Sequence, residues 1–224
     1  VRNSYRQIRT AHSRTNSDLS WARTNEFDLR GFMQKNSDDL LSGAGIFLSN
    51  RTTFQNLAQF TIHMSYSPES YDDLNSFGNG TYRIEEQSFL GLSYDSDGSQ
   101  EFSYGLGLGV QEEHLGDDTL ISRLSFSWRP NDRFALNLEV RHFNRKGWLL
   151  HQEDRNMTSF DAEQWTPIVS AEYFISARQQ LKFSLQWIGI KAQEKDFYRV
   201  PDRASDLIEV VKPPGPPDSF SLSQ

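Results

Sequence analysis

Three short stretches hold residue types that could do chemistry. In "EFSYGLGLGV", residues 101–110, glycines stand at every second position, Gly105, Gly107 and Gly109. A phosphate-binding glycine loop needs a turn from strand into helix after its first glycine, because amides at the helix N-terminus do the binding. Here the alternation runs on unbroken, with Phe102, Tyr104, Leu106, Leu108 and Val110 interleaving the glycines. A strand sends these two sets to opposite faces. The phosphate reading fails. The glycines are expected to permit curvature or a close approach on the polar face.

"DSDGS", residues 95–99, has the composition of a calcium loop, but Gly98 comes at position four where an EF-hand needs position six, so a polar hairpin turn is expected. "HQED" places His151, Glu153 and Asp154 together. A deaminase-type zinc site would also require cysteines, and the chain has none. The pairs Glu85–Glu86, Glu112–Glu113 and Asp117–Asp118 are adjacent in sequence, so on a strand they face opposite ways and cannot share a proton. Asp72 and Asp73 fall in a loop, where turn chemistry is the expected role. No Gly-x-Ser-x-Gly elbow is present. No catalytic residue, metal ligand or cofactor is therefore assigned.

The elements that carry these stretches read as strands almost throughout. Leu120, Leu124, Phe126 and Trp128 alternate with Arg123, Ser125, Ser127 and Arg129; then "RPNDR" supplies a tight turn. Phe134, Leu136, Leu138 and Val140 follow, alternating with Asn137, Glu139 and Arg141. A second hairpin runs from Trp165 to Ile175 and returns through Leu181, Phe183, Leu185 and Trp187. Short connections are expected near 54–56, 95–100, 130–132 and 177–179. Longer ones are expected at 67–80, 144–163 and 193–217, with a medium one at 113–117. The proline-rich "VKPPGPPD", 211–218, reads as an extended loop. Residues 1–18 read as a lead-in or partial strand, and 19–224 as one β domain whose final strands lie beyond Gln224.

Composition narrows the class. The net charge is −7 with no basic block, which argues against nucleic acid as a partner. Mean hydropathy is −0.66 and no run of about 18 apolar residues occurs, so no transmembrane helix is expected. A transmembrane β-strand shows only one apolar face, and it is compatible with low hydropathy. Long strands, charged residues on the polar faces, and aromatics placed near strand ends all match an outer-membrane barrel. Phe102, Trp128, Phe134, Tyr173 and Phe183 would form one interfacial girdle, with Tyr82 and Trp165 at the other.

The stretch "FQNLAQFTIHMSYSPESYDDLNSFGNG", 54–80, resembles the C-terminal barrel of an uncharacterised bacterial outer-membrane family, through Tyr66, Pro68, Glu69, Asp72 and Asp73. Members of that family often carry an N-terminal domain similar to family-nine carbohydrate-binding modules. The closing "DSFSLSQ" likewise resembles the entry to that family's last strands. The resemblance implies a bacterial outer-membrane location, lipid as partner, and a channel or receptor that handles glycans or related nutrients, with other envelope proteins as further partners.

The expected fold is thus all-β, an antiparallel transmembrane barrel fragment of about ten strands by the count of alternating segments. Short turns mark one end and long loops the other. Leu106, Leu108, Leu136, Leu138, Trp128 and Leu185 are the expected lipid-facing residues. Arg123, Arg129, Glu139, Arg141, Glu172 and Lys182 are the expected lumen-facing ones. Arginine at Leu106 or Leu136 should destabilise, and arginine at Ser125 or Asn137 should be tolerated. Two alternatives remain open: a soluble β-sandwich that binds glycans through its loops, and an outer-membrane hydrolase built around His151.

Overall fold

The computed structural model describes residues 5–17, 19–115, 118–212 and 219–223. Among these there is no helix. Four long strands come first: β1 (Tyr5–Asn16), β2 (Ala22–Asn36), β3 (Leu41–Phe54) and β4 (Gln59–Ser67). A small hairpin, β5 (Ser70–Asp72) and β6 (Tyr82–Ile84), interrupts the series. It resumes with β7 (Gln87–Asp95), β8 (Phe102–Glu112), β9 (Asp118–Asn131), β10 (Phe134–His151) and β11 (Asn156–Ser176). The remaining strands are β12 (Gln179–Gln186), β13 (Gly189–Arg199), β14 (Ile208–Val210) and β15 (Ser219–Ser223).

Apart from the small hairpin, all of them join one antiparallel sheet in the order β1-β2-β3-β4-β7-β8-β9-β10-β11-β13-β14. Each strand therefore lies beside its neighbour in sequence. Strand β11 is long enough to carry β12 on its lower half and β13 on its upper half. Strand β13 likewise carries both β14 and β15. The result is eleven rows, close to the count expected from alternation. Among the described residues β1 and the β14–β15 row have no outer partner, so the sheet is open rather than a closed barrel.

Register sorts the side chains into two faces. Tyr94, Leu106, Leu124, Val140 and Pro167 form one continuous cross-strand row. Ser93, Gly107, Arg123, Arg141 and Thr166 form the matching row on the other side. Apolar residues on the first face stand out in solvent: Leu108 is 70% exposed and Leu124 61%. Along β8 every apolar residue is exposed, while the glycines and Ser103 between them are buried or half-buried. Side chains splay on a convex face and converge on a concave one, so the sheet curls with its polar face inward. Aromatic rings cluster where β3 and β7–β10 meet the tight turns, with Trp21 against Phe54, Phe102 edge-on to Phe126 and Trp128 edge-on to Phe134.

Three expectations change. The segment 144–163 is no loop: β10 and β11 continue through it to a tip at 152–155. Much of 193–217 is strand as well, in β13 and β14. Residues 5–16, read as part of a lead-in or partial strand, form a full strand paired to β2 along its whole length. Long connections remain at 68–86 and 200–207, both at the same end of the sheet. The proline-rich 213–218 and Asp117 lie outside the described residues.

Candidate functional site

Two assemblies stand out, a charged groove on the polar face and a packed cap at the loop end. In the groove, Arg123 donates to Asp95 at 2.7 Å and lies 3.8 Å from Glu139, which in turn accepts from Arg141 at 2.6 Å. Four charges of alternating sign thus run across β7, β9 and β10. Further along, Lys182 reaches Glu172 at 3.1 Å directly across the β11–β12 pairing. Ser127 donates to Asn137 at 2.8 Å, and Asn137 approaches Ser170 at 3.5 Å.

The glycines make room for this layer. A Cβ on Gly105 would collide with the carboxylate of Asp95 and the hydroxyl of Ser125. One on Gly107 would come within 3.3 Å of the Arg123 stem. Gly91 and Gly109 lie under the ring of Phe89, whose nearest atoms would meet added Cβ atoms at 2.7 and 3.1 Å. The close approach foreseen for these glycines is therefore made by neighbouring side chains lying flat on the strands. Above the shared floor lie two adjoining cavities of about 870 and 530 Å³, which have Arg51, His63, Phe89 and Ile121 in common.

The cap gathers chain from distant parts of the sheet. Tyr82, Met157 and Val200 are almost fully buried together, with Leu149, Tyr198 and Leu207 packed around them. Arg83 fastens one side, donating to Glu69 at 2.7 Å and to Asp206, while its amide donates to the Ser205 carbonyl at 2.8 Å. Arg155 pairs with Asp202 on the other side. His114 lies against Tyr82 with ring centroids 6.0 Å apart. Its Nδ1 accepts from the Glu85 amide at 3.2 Å, whereas its Nε2 is buried with no partner. Burial holds this imidazole below its usual range; the Glu85 carboxylate works against that shift and Arg83 adds to it. The hydrogen bond from Arg83 in turn holds Asp206 low. Burial pushes the Tyr82 phenol up, so it stays neutral.

The sequence matches the family described as "Domain of unknown function (DUF5916)" over residues 3–206, most of its length. The chain belongs to DUF5916. No match is found among the curated proteins or the solved structures.

In this DUF5916 chain the residues singled out from sequence fall as follows. Arg123, Glu139, Arg141, Glu172 and Lys182 share the polar face, and the first three touch. Arg129 sits at the turn end, where it donates to the Gly98 carbonyl at 3.2 Å. Leu106, Leu108, Leu138, Trp128 and Leu185 are exposed on the opposite face, and Leu136 is half-exposed beside Trp128. Tyr82 is not interfacial: at 2% exposure it is the centre of the cap. His151 meets the Asn79 amide at 3.4 Å, the Asp154 carbonyl at 2.7 Å and the Phe77 ring, with neither carboxylate nor hydroxyl among these partners. Asp97 ties down the 95–100 turn by accepting from Gln100 and Ser99. Asp72 accepts from the amides of Leu74 and Asn75, whereas Asp73 turns away toward Asn36. Among the described residues no group of acidic or histidine side chains could hold a metal.

Sequence reading missed Arg83, His114 and Asp206 of the cap, and Arg30, Arg51 and Phe89 of the groove. Nothing local marks the first three, because their partners lie up to 123 residues away. Phe89 carried a signal: a large aromatic on the polar side of a strand, facing glycines on that strand and the next.

Proposed function

We propose that this chain is a sector of an outer-membrane β-barrel, with its apolar face toward lipid and its polar face lining a water-filled lumen. The observation that carries this reading is the convex band of exposed apolar side chains, unbroken from β4 to β12. Soluble monomers rarely expose an apolar patch beyond a few hundred Å². On β8 the band runs from Phe102 to Val110, roughly 27 Å along the strand at about 3.3 Å per residue. Tilted by about 40°, that is about 20 Å of height, near the roughly 25 Å lipid band of such barrels.

The mechanism is then physical. Hydrogen-bonded ladders satisfy the backbone in lipid. The Asp95–Arg123–Glu139–Arg141 chain keeps fixed charges inside the lumen without stranding any of them. The resemblance of residues 54–80 adds glycan or nutrient passage as the class of task, performed as a channel or a surface receptor.

The test is fractionation of the full-length protein. Retention in the outer membrane with a heat-modifiable band supports the barrel. A soluble, monodisperse product without detergent refutes it, and leaves a sandwich in which a second sheet covers the apolar face.

A further inference from the structure

The larger cavity above Phe89 is lined by two arginines, Arg30 and Arg51, against one carboxylate, Asp28. Arg123 and Arg141 are satisfied by Asp95 and Glu139. Arg30 and Arg51, which line the larger cavity, have no ion-pair partner among the described residues. Glu26 is the direct cross-strand neighbour of Arg51, yet it does not reach ion-pair distance. Asp28 on the cavity wall accepts from the Ser13 hydroxyl and keeps its negative charge, which offsets one of the two guanidiniums and leaves the lining net positive. His63 lies between the two cavities and adds a further nitrogen donor or acceptor. In a chain of net charge −7, this is a local excess of guanidinium.

The rest of the lining is neutral but polar. Ser49, Ser65 and Gln111 offer hydroxyl and amide groups at the cavity wall. Phe89 supplies one flat apolar surface: with one ring face resting over Gly91 and Gly109, the other is turned to the groove and is half-exposed. An aromatic face beside hydroxyl partners suits a ring with one apolar and one hydroxylated side. Unpaired guanidiniums suit an oxyanion such as a carboxylate or a sulfate ester, two of whose oxygens they grip through paired N–H donors. A cavity of about 870 Å³ has room for two or three such rings.

We propose that this groove binds an acidic sugar. Its ring stacks on Phe89 and its carboxylate or sulfate-ester group lies against Arg30 and Arg51. The inference rests on the polar face being the water-filled side of the sheet, as argued above, and goes beyond it by naming the charge and shape of the ligand.

The experiment uses the full-length protein folded in detergent, with heat-modifiability checked first so that loss of folding is told apart from loss of binding. Calorimetric titration compares trigalacturonate, its fully methyl-esterified form and inorganic sulfate. The expected result is binding of trigalacturonate at least about tenfold tighter than its neutral ester, because the charge-assisted hydrogen bonds to the guanidiniums are lost with the charge. Arg51→Gln should shrink that preference by lowering the affinity for trigalacturonate, and Arg30→Gln together with Arg51→Gln should abolish it. Phe89→Ala should weaken both sugars by a similar factor. Equal affinity for acid and ester, or no binding of either by the folded protein, overturns the proposal. So does full competition by inorganic sulfate, which would reveal an anion spot that does not read a sugar. A sulfated trisaccharide bound more tightly than trigalacturonate keeps the proposal and selects the sulfate ester as the anion.

Discussion

Replacing Leu106 by arginine separates a lipid-facing sheet from a water-facing one by magnitude alone. Leu106 is the third of five apolar residues on β8, hence near mid-height of the band. Its cross-strand neighbours are Tyr94 and Leu124, and it is 48% exposed. Were that face in water, Leu106→Arg would change stability by no more than about 0.5 kcal/mol, as is usual for exposed sites. At the bilayer midplane the same change costs about 2–4 kcal/mol, and near the interfaces about 0–1 kcal/mol. Val110→Arg, two rows higher at the edge of the band, should therefore cost much less than Leu106→Arg. The assay is urea unfolding of vesicle-inserted protein followed by tryptophan fluorescence, since Trp128 and Trp165 both lie on this face. Ser184→Arg is the control: it is exposed on the polar face opposite Ser170 and should stay within about 0.5 kcal/mol. Equal and small costs at Leu106 and Val110 would refute the lipid assignment. Equal and large costs would refute it too, because the interior of a sandwich has no depth gradient.

Other outcomes follow from the groove and the cap. Arg123→Ala leaves Asp95 and Glu139 facing each other without their shared partner and should destabilise by about 1–3 kcal/mol in the same unfolding assay, with Arg123→Lys recovering part of it. Asn137→Arg, acceptable on face polarity alone, breaks contacts to Ser127 and Ser170 and should cost about 1 kcal/mol, more than Ser184→Arg. Gly147 has φ of 69° at a register shift between β10 and β11, so Gly147→Val should destabilise by roughly 1–2 kcal/mol and loosen the hairpin tip to proteolysis. The cap should weaken in mild acid. His114 binds its proton less readily folded than unfolded, so its contribution is present at neutral pH and is lost as pH falls below about 6.5, the unfolded value. Asp206, held low by Arg83, resists until pH falls below about 3.9. The protection factors of the Tyr82–Ile84 amides, taken relative to the intrinsic exchange rate at each pH, should therefore fall between pH 7 and 5, and His114→Gln should flatten that fall.

Alternation made the sheet legible because period two is written residue by residue, and β8, most of β9 and the lower halves of β10 and β11 keep it up to the irregularities beside their tight turns. The same rule failed at 144–163 for two physical reasons. The bulge near Gly147 inserts an extra residue into β10, which shifts parity between Arg145 and Trp148. Beyond it, Met157, Thr158, Ser159 and Phe160 are all buried, so this part of β11 has no wet face to mark. The Tyr66-to-Asp73 motif was legible as a family resemblance with turn chemistry at Asp72 and Asp73, and in the fold Glu69 accepts from Arg83 while Asp72 caps the amides of Leu74 and Asn75. The cap's centre was illegible, since neither Tyr82 nor Val200 has a local pattern naming the other. In the groove, the charged residues of β9 and β10 were visible as a polar face, whereas the lack of partners for Arg30 and Arg51 is a fact of distance that no sequence window contains.

The cap also measures something the strands cannot. Sliding any one hairpin by two residues keeps every side chain on its own face, so the alternation neither detects nor penalises it. Such a slip moves one strand past the next by about 6.8 Å, and offsets accumulate from row to row. Tyr82 follows β4, and it must meet Met157 at the start of β11 and Val200 just after β13. Only one summed offset across the intervening rows brings those three side chains to the same place. The cap is thus a gauge block for the whole sheet: it closes when every hairpin between has been laid at its proper stagger, and a chain that has slipped once leaves Tyr82 without its pocket.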